Sequence, residues 1–308
     1  MPELPEVETV VRGLQRHVVD DSIRSVWLGD KSNLLKSSPR EIARVLEGSR
    51  IAGVRRMGKH IVIDLQPATA KKRFAKALKP AAKKTKASAA NRTQSNANSA
   101  NSQPADPRTA QWIVHLGMTG KMLVTSPDTE IEKHTHLIAQ LESGRELRFV
   151  DPRRFGKIWV HESDEGFATV GTEPLHISLD DFAKLFRGRK TPIKSALLNQ
   201  KLLRGVGNIY ADESLFRAGI RPRRNAASLT RDELKRLHES VQQVLREAIA
   251  AGGSSVSDYV GAEGERGFFQ IQHRVYGREG EPCLVCATPV KKVVSAGRGT
   301  HYCAKCQK

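Results

Sequence analysis

All four cysteines of this 308-residue chain fall in its last 26 residues, as Cys283-x2-Cys286-x16-Cys303-x2-Cys306. Two thiolates on a CxxC turn can take adjacent corners of a tetrahedron, and two such turns close a four-sulfur site that suits Zn²⁺. A closed four-cysteine set leaves no coordination position open, so the expected cofactor is one structural zinc ion per chain. Two disulfides, or four free core thiols, are the alternatives. The first is disfavoured in a cytosolic chain.

Charge narrows the partner. Lys and Arg number 51 against 33 Asp and Glu, a net charge of +18. An excess of that size favours a polyanion, nucleic acid before an anionic membrane surface. The excess is uneven: between Pro67 and Ala110 stand ten basic residues and one acid, Asp106, so +9 of the +18 lies in 44 residues. That stretch is Ala-, Lys-, Asn- and Ser-rich, with Phe74 and Leu78 as its only large apolar residues. It buries too little to offset the entropy of ordering, and a disordered basic insertion is the expectation. It lacks the aromatics or amphipathic stripe of a membrane-surface segment. Its function is either none, as a tolerated loop, or that of a tether strengthening non-specific DNA association through counterion release.

No run approaches the roughly 18 apolar residues of a membrane span. The opening MPELPEVET is acidic where a secretory signal needs basic residues and an apolar core. A cytoplasmic protein without membrane contact is therefore expected.

The apolar residues Val7, Val10, Val11, Leu14 and Val18 recur at helical spacing, so residues 3–18 read as an amphipathic helix. Short β-branched segments at 22–28, 50–56, 60–65, 112–116, 121–125, 136–141, 146–150 and 157–161 read as strands of a sheet or sandwich. Helices are expected at 179–187, 191–202, 209–218 and 229–251, the last opened by Ser228 or Thr230. A Gly-rich loop and the cysteine module follow. In that module Lys291, Lys292, Arg298 and His301 are expected to face a phosphate backbone.

Several motifs carry chemistry with a plainer reading beside it. Gly205-Val206-Gly207-Asn208 suits phosphate at a helix N-terminus, yet Gly-x-Gly with an N-cap Asn also makes an ordinary helix connector. Asp151-Pro152-Arg153-Arg154-Phe155-Gly156 sets two guanidiniums beside a ring that could wedge between base pairs. It could equally be a salt-bridged Asp–Arg turn with Phe155 in the core. Met118 is a possible second wedge or a core residue. If Met1 is removed, Pro2 presents a secondary amine that condenses with a sugar aldehyde to a cationic iminium, an electron sink for elimination. Glu3 and Glu6 could then donate and shuttle protons. Pro followed by Glu is also a common helix start.

Together the motifs PELPEVE (2–8), the Gly58-Lys59 turn, HLGMTG (115–120), DPRRFG (151–156), GVGNIY (205–210), VYGREGEPC (275–283) and the four-cysteine end resemble the bacterial formamidopyrimidine-DNA glycosylases. They occur in the family's order and span the chain outside 67–110. The resemblance implies an α+β multidomain fold: an N-terminal catalytic β-sandwich flanked by helices (2–163), a helix–two-turn–helix DNA-binding domain (174–253), a lesion-capping loop (254–267) and a zinc finger (268–308). The implied partner is double-stranded DNA containing oxidised purines or abasic sites, bound by a monomer.

The same resemblance implies the site. Pro2 matches the nucleophile that attacks C1′ of the damaged nucleotide, and Glu3 the acid that protonates the sugar. Lys59 matches a lysine associated with β-elimination, and Arg298 an arginine associated with phosphate binding and δ-elimination. His134, Arg153, Asn208 and Tyr276 match DNA contacts; Arg189 matches more loosely, within a basic run. Met118, Arg153 and Phe155 match the residues filling the gap left by a flipped nucleotide, Arg153 facing the orphaned cytosine. The nearest relatives, the endonuclease VIII enzymes, favour oxidised pyrimidines and usually begin Pro-Glu-Gly-Pro-Glu; Leu4 and the Arg153–Phe155 wedge favour the purine branch. An inactive damaged-DNA-binding protein on the same fold is the other alternative.

Overall fold

A computed structural model describes residues 1–30, 32–67, 110–162, 166–256 and 259–308. The amphipathic helix α1 (Leu4–Val18) starts one residue later than its apolar spacing predicts, because Glu3 is its N-cap. The Glu3 N–H donates to Glu6 Oε2 at 2.8 Å, closing a capping box that satisfies donors a helix start would leave free. Pro5 fits this first turn because its missing N–H has no helical acceptor to lose.

The strands form two four-stranded antiparallel sheets. One runs β1 (Ile23–Leu28), β6 (Thr135–Leu141), β7 (Glu146–Val150), β5 (Lys121–Thr125). The other runs β2 (Ser49–Met57), β3 (His60–Pro67), β4 (Ala110–His115), β8 (Lys157–Glu162). Val7, Val10, Leu14 and Val18 of α1 share one core with Ile61, Ile63, Trp112 and Val114 of the second sheet and Leu137, Leu147 and Phe149 of the first. Each such aliphatic side chain taken fully from water contributes about 1.5–3 kcal/mol. That burial holds α1 fixed and with it the Pro2 end.

One departure from the sequence reading lies in this half. Helix α2 (Pro39–Leu46), opened by the Ser38 hydroxyl accepting from the Glu41 N–H, has no counterpart among the predicted elements. β3 and β4 pair with Leu65 opposite Ala110, so the 67–110 stretch joins neighbouring strands; its residues 68–109, expected to be disordered, lie outside the described residues.

The second half packs α3 (Leu179–Phe186), α4 (Ile193–Leu198), α5 (Asn208–Ala218) and α6 (Arg231–Ala250) around Phe182, Leu197, Leu215, Leu237 and Val244. Helix α4 is shorter than the predicted 191–202, because the Leu202 and Leu203 N–H groups turn back to the Asn199 carbonyl. Thr230, not Ser228, opens α6 in a capping box with Glu233. Leu4 belongs to this second core, so α1 is rooted in both halves. Arg56 of β2 ties the halves again, pairing with Glu8 at 2.9 Å and Glu173 at 2.8 Å.

The chain closes in the hairpin β9 (Lys291–Ser295) and β10 (Arg298–Tyr302), followed by the second CxxC. This module leans on α5: the His301 N–H donates to Asp212 Oδ2 at 2.9 Å, and the Lys308 N–H to the Gly219 carbonyl at 3.0 Å. His301 is only 7% exposed, with its ring Nδ1 3.5 Å from the same carboxylate. It therefore does not face a phosphate backbone as expected; the buried Asp212 turns it inward. Lys291, Lys292 and Arg298 are exposed.

Candidate active site and DNA-facing surface

The Pro2 end of α1 is buried where the two halves meet, behind an exposed Met1. The Leu4 N–H donates to the Gly205 carbonyl at 3.0 Å, and the Ile209 N–H donates to Glu3 Oε1 at 3.2 Å. These contacts settle the Gly205-Val206-Gly207 motif. Gly205 holds φ +92°, and a Cβ there would meet Leu4 at 2.8 Å; a Cβ on Gly207 would overlap the Glu3 carboxyl group. The two glycines make room for the chain's own N-terminus, which an ordinary connector has no reason to do. Gly207, not Asn208, is the N-cap of α5, and the N–H of Ile209 is already spent on Glu3.

Burial pushes the Glu3 carboxyl up to about 7; Lys59 opposes the rise and Glu6 adds to it. Its Oε2 is buried and has no hydrogen-bond partner among the described residues. A carboxyl with one unpaired oxygen and a proton half present near neutrality can donate that proton to an incoming oxygen. Glu6 is locked instead: its carboxylate accepts from the Glu3 N–H and from the Ser254 N–H at 2.8 Å, and from the Tyr210 hydroxyl. Its value is also raised, by burial first. The fully engaged Glu6 positions Glu3, and the Tyr259 hydroxyl bound to its carbonyl at 3.2 Å steadies the same turn.

Lys59 is held below its usual value by desolvation, with Glu3 opposing and Arg298 adding to the drop. Lys59, Glu3 and Arg298 are thus electrostatic neighbours although 56 and 239 positions separate them along the sequence. Arg298 is set there by β10. Its neighbour Gly299 accepts at its carbonyl from Asn208 Nδ2 at 3.0 Å and from Lys194 Nζ at 3.0 Å. Burial raises the Tyr276 hydroxyl, and the side-chain amide of Asn208 opposes the rise. The Tyr276 backbone is fixed by Glu213, whose carboxylate accepts from the N–H groups of Arg274, Val275 and Tyr276.

Lys194, Asp212 and Glu213 were not singled out by the sequence reading. Lys194 and Asp212 form a buried pair at 2.7 Å, with Lys194 also donating to Thr300 Oγ1 at 2.9 Å. Removing one partner of such a pair strands a buried charge, which makes it a rigid brace for the Arg298 strand.

The HLGMTG and DPRRFG loops meet back to back. Asp151 is fully buried, its carboxylate accepting from Thr119 Oγ1 at 2.6 Å and from the Gly156 N–H at 2.7 Å. Gly117 has φ +65°, and a Cβ there would lie 2.5 Å from the Gly156 nitrogen. Asp151 therefore braces loops rather than pairing with an arginine, and Phe155 is not core: it is 51% exposed, with Arg153 stacked 5.0 Å over its ring. Met118 is likewise exposed. Burial drives His115 down to about 4, with Lys59 among the lesser causes, and the neutral ring accepts the Gly117 N–H at 3.1 Å. Through His115 the HLGMTG loop adjoins the Lys59 turn.

His134 is half-buried beside this tip, its carbonyl accepting the Asp151 N–H at 3.0 Å. Arg189 sits on the α3–α4 turn, where its Nε donates to the Leu185 carbonyl at 2.5 Å; its contacts stay within the helical half.

The four cysteine sulfurs lie within 4.8 Å of one another, with Cys283 to Cys306 at 3.9 Å and Cys286 to Cys303 at 3.4 Å. Disulfides need about 2.05 Å. A tetrahedron with metal–sulfur bonds of about 2.3 Å has edges of about 3.8 Å, so the set fits one structural zinc ion. When bound, zinc would hold the two CxxC turns and so the β9–β10 hairpin.

Three family models match: the formamidopyrimidine-DNA glycosylase N-terminal domain over residues 1–158, its H2TH domain over 170–260, and the zinc finger found in FPG and IleRS over 280–308. The formamidopyrimidine-DNA glycosylases of Solibacter usitatus and Thioalkalivibrio sulfidiphilus are 40% and 38% identical, each aligned over the whole of both chains. A Lactococcus lactis Fpg in complex with abasic-site DNA superposes with a TM-score of 0.79 at 29% identity, covering 99% of each chain. The Thermus thermophilus Fpg superposes at 0.76 with 36% identity, covering 99% of this chain and 98% of that one. Sequence, architecture and the clustering of the N-terminal turn with Lys59 and Arg298 agree: this chain belongs to the formamidopyrimidine-DNA glycosylase family.

Proposed function

We propose that this protein is a base-excision-repair DNA glycosylase that removes oxidised purines, 8-oxoguanine and formamidopyrimidines, and then cleaves the strand as an abasic-site lyase. The observation that carries the reading is the Glu3 carboxyl, pushed up to about 7 with one oxygen unpaired, at the end of the helix that begins with Pro2. Removal of Met1 frees the Pro2 nitrogen. That nitrogen bonds to C1′ as the glycosidic bond breaks and the base leaves. Glu3 gives its proton to the sugar ring oxygen, the ring opens, and an iminium remains. The carboxylate left on Glu3 takes the C2′ proton, the electrons of that C–H bond flow toward the iminium, and the 3′ phosphate departs; loss of the C4′ proton in the same way then expels the 5′ phosphate. Lys59 and Arg298 lower the cost of both departures by fixed positive charge beside the leaving phosphates.

A duplex hides its glycosidic bonds, so the target nucleotide must be extruded. Met118, Arg153 and Phe155 fill the gap, with Arg153 facing the orphaned cytosine. His134, Asn208, Tyr276 and, from the helical half, Arg189 hold the backbone. The exposed Arg153–Phe155 pair and the closely packed Leu4 favour purine lesions over the pyrimidine alternative, and the assembled Glu3–Lys59–Arg298 cluster argues against an inactive binding protein. A nucleoid-associated place in the cytoplasm fits this role.

Borohydride reduction of the protein on a duplex with 8-oxoguanine opposite cytosine tests the mechanism. A covalent adduct is expected, absent in Pro2→Gly and when Met1 is retained. Wild-type protein with Met1 removed that gives no adduct would falsify the Schiff base.

A further inference from the structure

The Asp151–Gly156 turn has two sides. One presents Arg153 and Phe155. The other presents Pro152 and Arg154 to a separate cleft of about 420 Å³, whose walls include Trp27, Asp30, Lys133 and His134. Trp27 lies on the edge strand β1 and is 51% exposed; its ring lies over Gly29, where a Cβ would approach it at 3.3 Å. The cleft floor is rigid: the Gly29 N–H donates to the His136 carbonyl and the His136 ring contacts the Asp151 carbonyl, both at 3.0 Å. Arg154 holds φ +56°, a left-handed backbone that costs a non-glycine residue.

An exposed indole flanked by Lys133, His134 and Arg154, against Asp30 as the one acid among the described lining residues, has the chemistry of a stacking shelf with phosphate-binding walls. Resting on the proposed function above, we infer that this cleft binds the strand opposite the lesion: Trp27 stacks on a base flanking the orphaned cytosine, and Lys133 and Arg154 hold the adjoining phosphates. The reason for that strand is geometric. Phe155 and Arg153 enter the duplex from the turn that separates the two sides, and the extruded nucleotide occupies the Pro2 side. The intact strand is left to pass the other face of the turn. The shelf would grip the duplex at its opened step and so help to keep the gap open.

Binding of full-length wild-type and Trp27→Ala protein is measured on three DNAs: a duplex with a tetrahydrofuran abasic analogue opposite cytosine, the same duplex lacking one base next to that cytosine, and the analogue-bearing strand alone. Stacking on one base is worth about 1–3 kcal/mol, a ~5- to 150-fold change in affinity. Trp27→Ala is expected to lose at least fivefold on the intact duplex and nothing on the single strand. Removing the base should weaken wild type and leave Trp27→Ala unaffected. Equal affinity of both proteins for the duplex would overturn the site, and an equal loss on the single strand would reassign it to the lesion strand. Trapping of Trp27→Ala on an abasic single strand monitors the Pro2 chemistry independently, so a failure of the shelf is distinguishable from a failure of the mechanism.

Discussion

The Glu3 carboxyl group occupies the space that a side chain on Gly207 would need, so the acid at the start of the chain and the glycine opening α5 fix each other's position. The consequence is that α5, which also carries Asn208 toward the zinc-finger strand, sets the angle of the acid proposed for catalysis. Gly207→Ala must push Glu3 away from the Ile209 N–H that now fixes it. A misplaced general acid costs about 10²- to 10⁴-fold in rate. Single-turnover excision of 8-oxoguanine by this variant should fall by at least 100-fold while its thermal melt stays cooperative; excision within tenfold of wild type would contradict the placement.

The pH dependence follows from Glu3. Its folded-state value, about 7, lies above the ordinary 4.5, so the folded chain prefers the protonated form. The stability this gives is fully present below about pH 4.5 and is lost as the pH rises through about 7. The difference amounts to on the order of 3 kcal/mol. Wild-type stability in urea should therefore decline relative to Glu3→Gln between pH 5 and 8, and excision by wild type should slow above about pH 7. A constant gap between the two proteins across that range would show that Glu3 is not the group.

Much of this site is legible in the residues. Apolar spacing gives α1, alternation gives most strands, and the CxxC spacing gives the metal set, because each is a local pattern with one physical cause. Glycine motifs are legible as tight spots but not as to what fills them: only the fold shows that Gly205 and Gly207 accommodate Leu4 and Glu3. The DPRRFG turn is ambiguous on its own because Asp151 has arginines beside it; its true partners, Thr119 and the Gly156 N–H, include one from another loop. Lys194, Asp212 and Glu213 escape notice for a similar reason. Helix α5 buries Asp212 and Glu213, against the usual rule, and their partners come from Lys194 on α4, from the 274–276 segment and from β10. Helix α2 is different: Ser38-Pro39-x-Glu41 is a readable helix start that the strand-rich surroundings obscured.

The segment from Tyr259 to Gly267 offers a separable test. Ala262 is fully buried in the first half, its carbonyl accepting the Val124 N–H at 2.8 Å, and a Cβ on Gly13 would stand 2.7 Å from the Ala262 Cβ. Glu263 contacts His17 and, at 3.5 Å, Arg16. Gly13→Val should displace this anchor. If the segment covers an extruded base, excision of 8-oxoguanine should drop by about tenfold or more, since misplacement of a closing loop of this kind can cost up to 10²-fold. Cleavage of a preformed abasic site, which has no base to cover, should stay within twofold. Equal losses on both substrates would instead mean that Gly13 serves only the stability of α1.

Zinc removal should dissociate two properties that the fold keeps apart. The cysteine module has its own small core of Phe216, Val275, Cys283, Val290 and Cys303, too little to hold a hairpin without metal. The core around α1 and the two sheets uses none of those residues. Chelation, or Cys303→Ser, should therefore release β9 and β10, and with them Arg298 and the Gly299 carbonyl that Asn208 and Lys194 hold. The buried Lys194–Asp212 pair would lose Thr300 and the His301 N–H as neighbours and admit water. Affinity for abasic-site duplex should fall by at least 100-fold, in line with the cost of stripping clamping charges from phosphates, while circular dichroism retains the strand signal of the first half. Readdition of Zn²⁺ should restore binding to chelated wild type but not to Cys303→Ser. Undiminished binding after verified zinc loss would show that Arg298 is held by α5 alone.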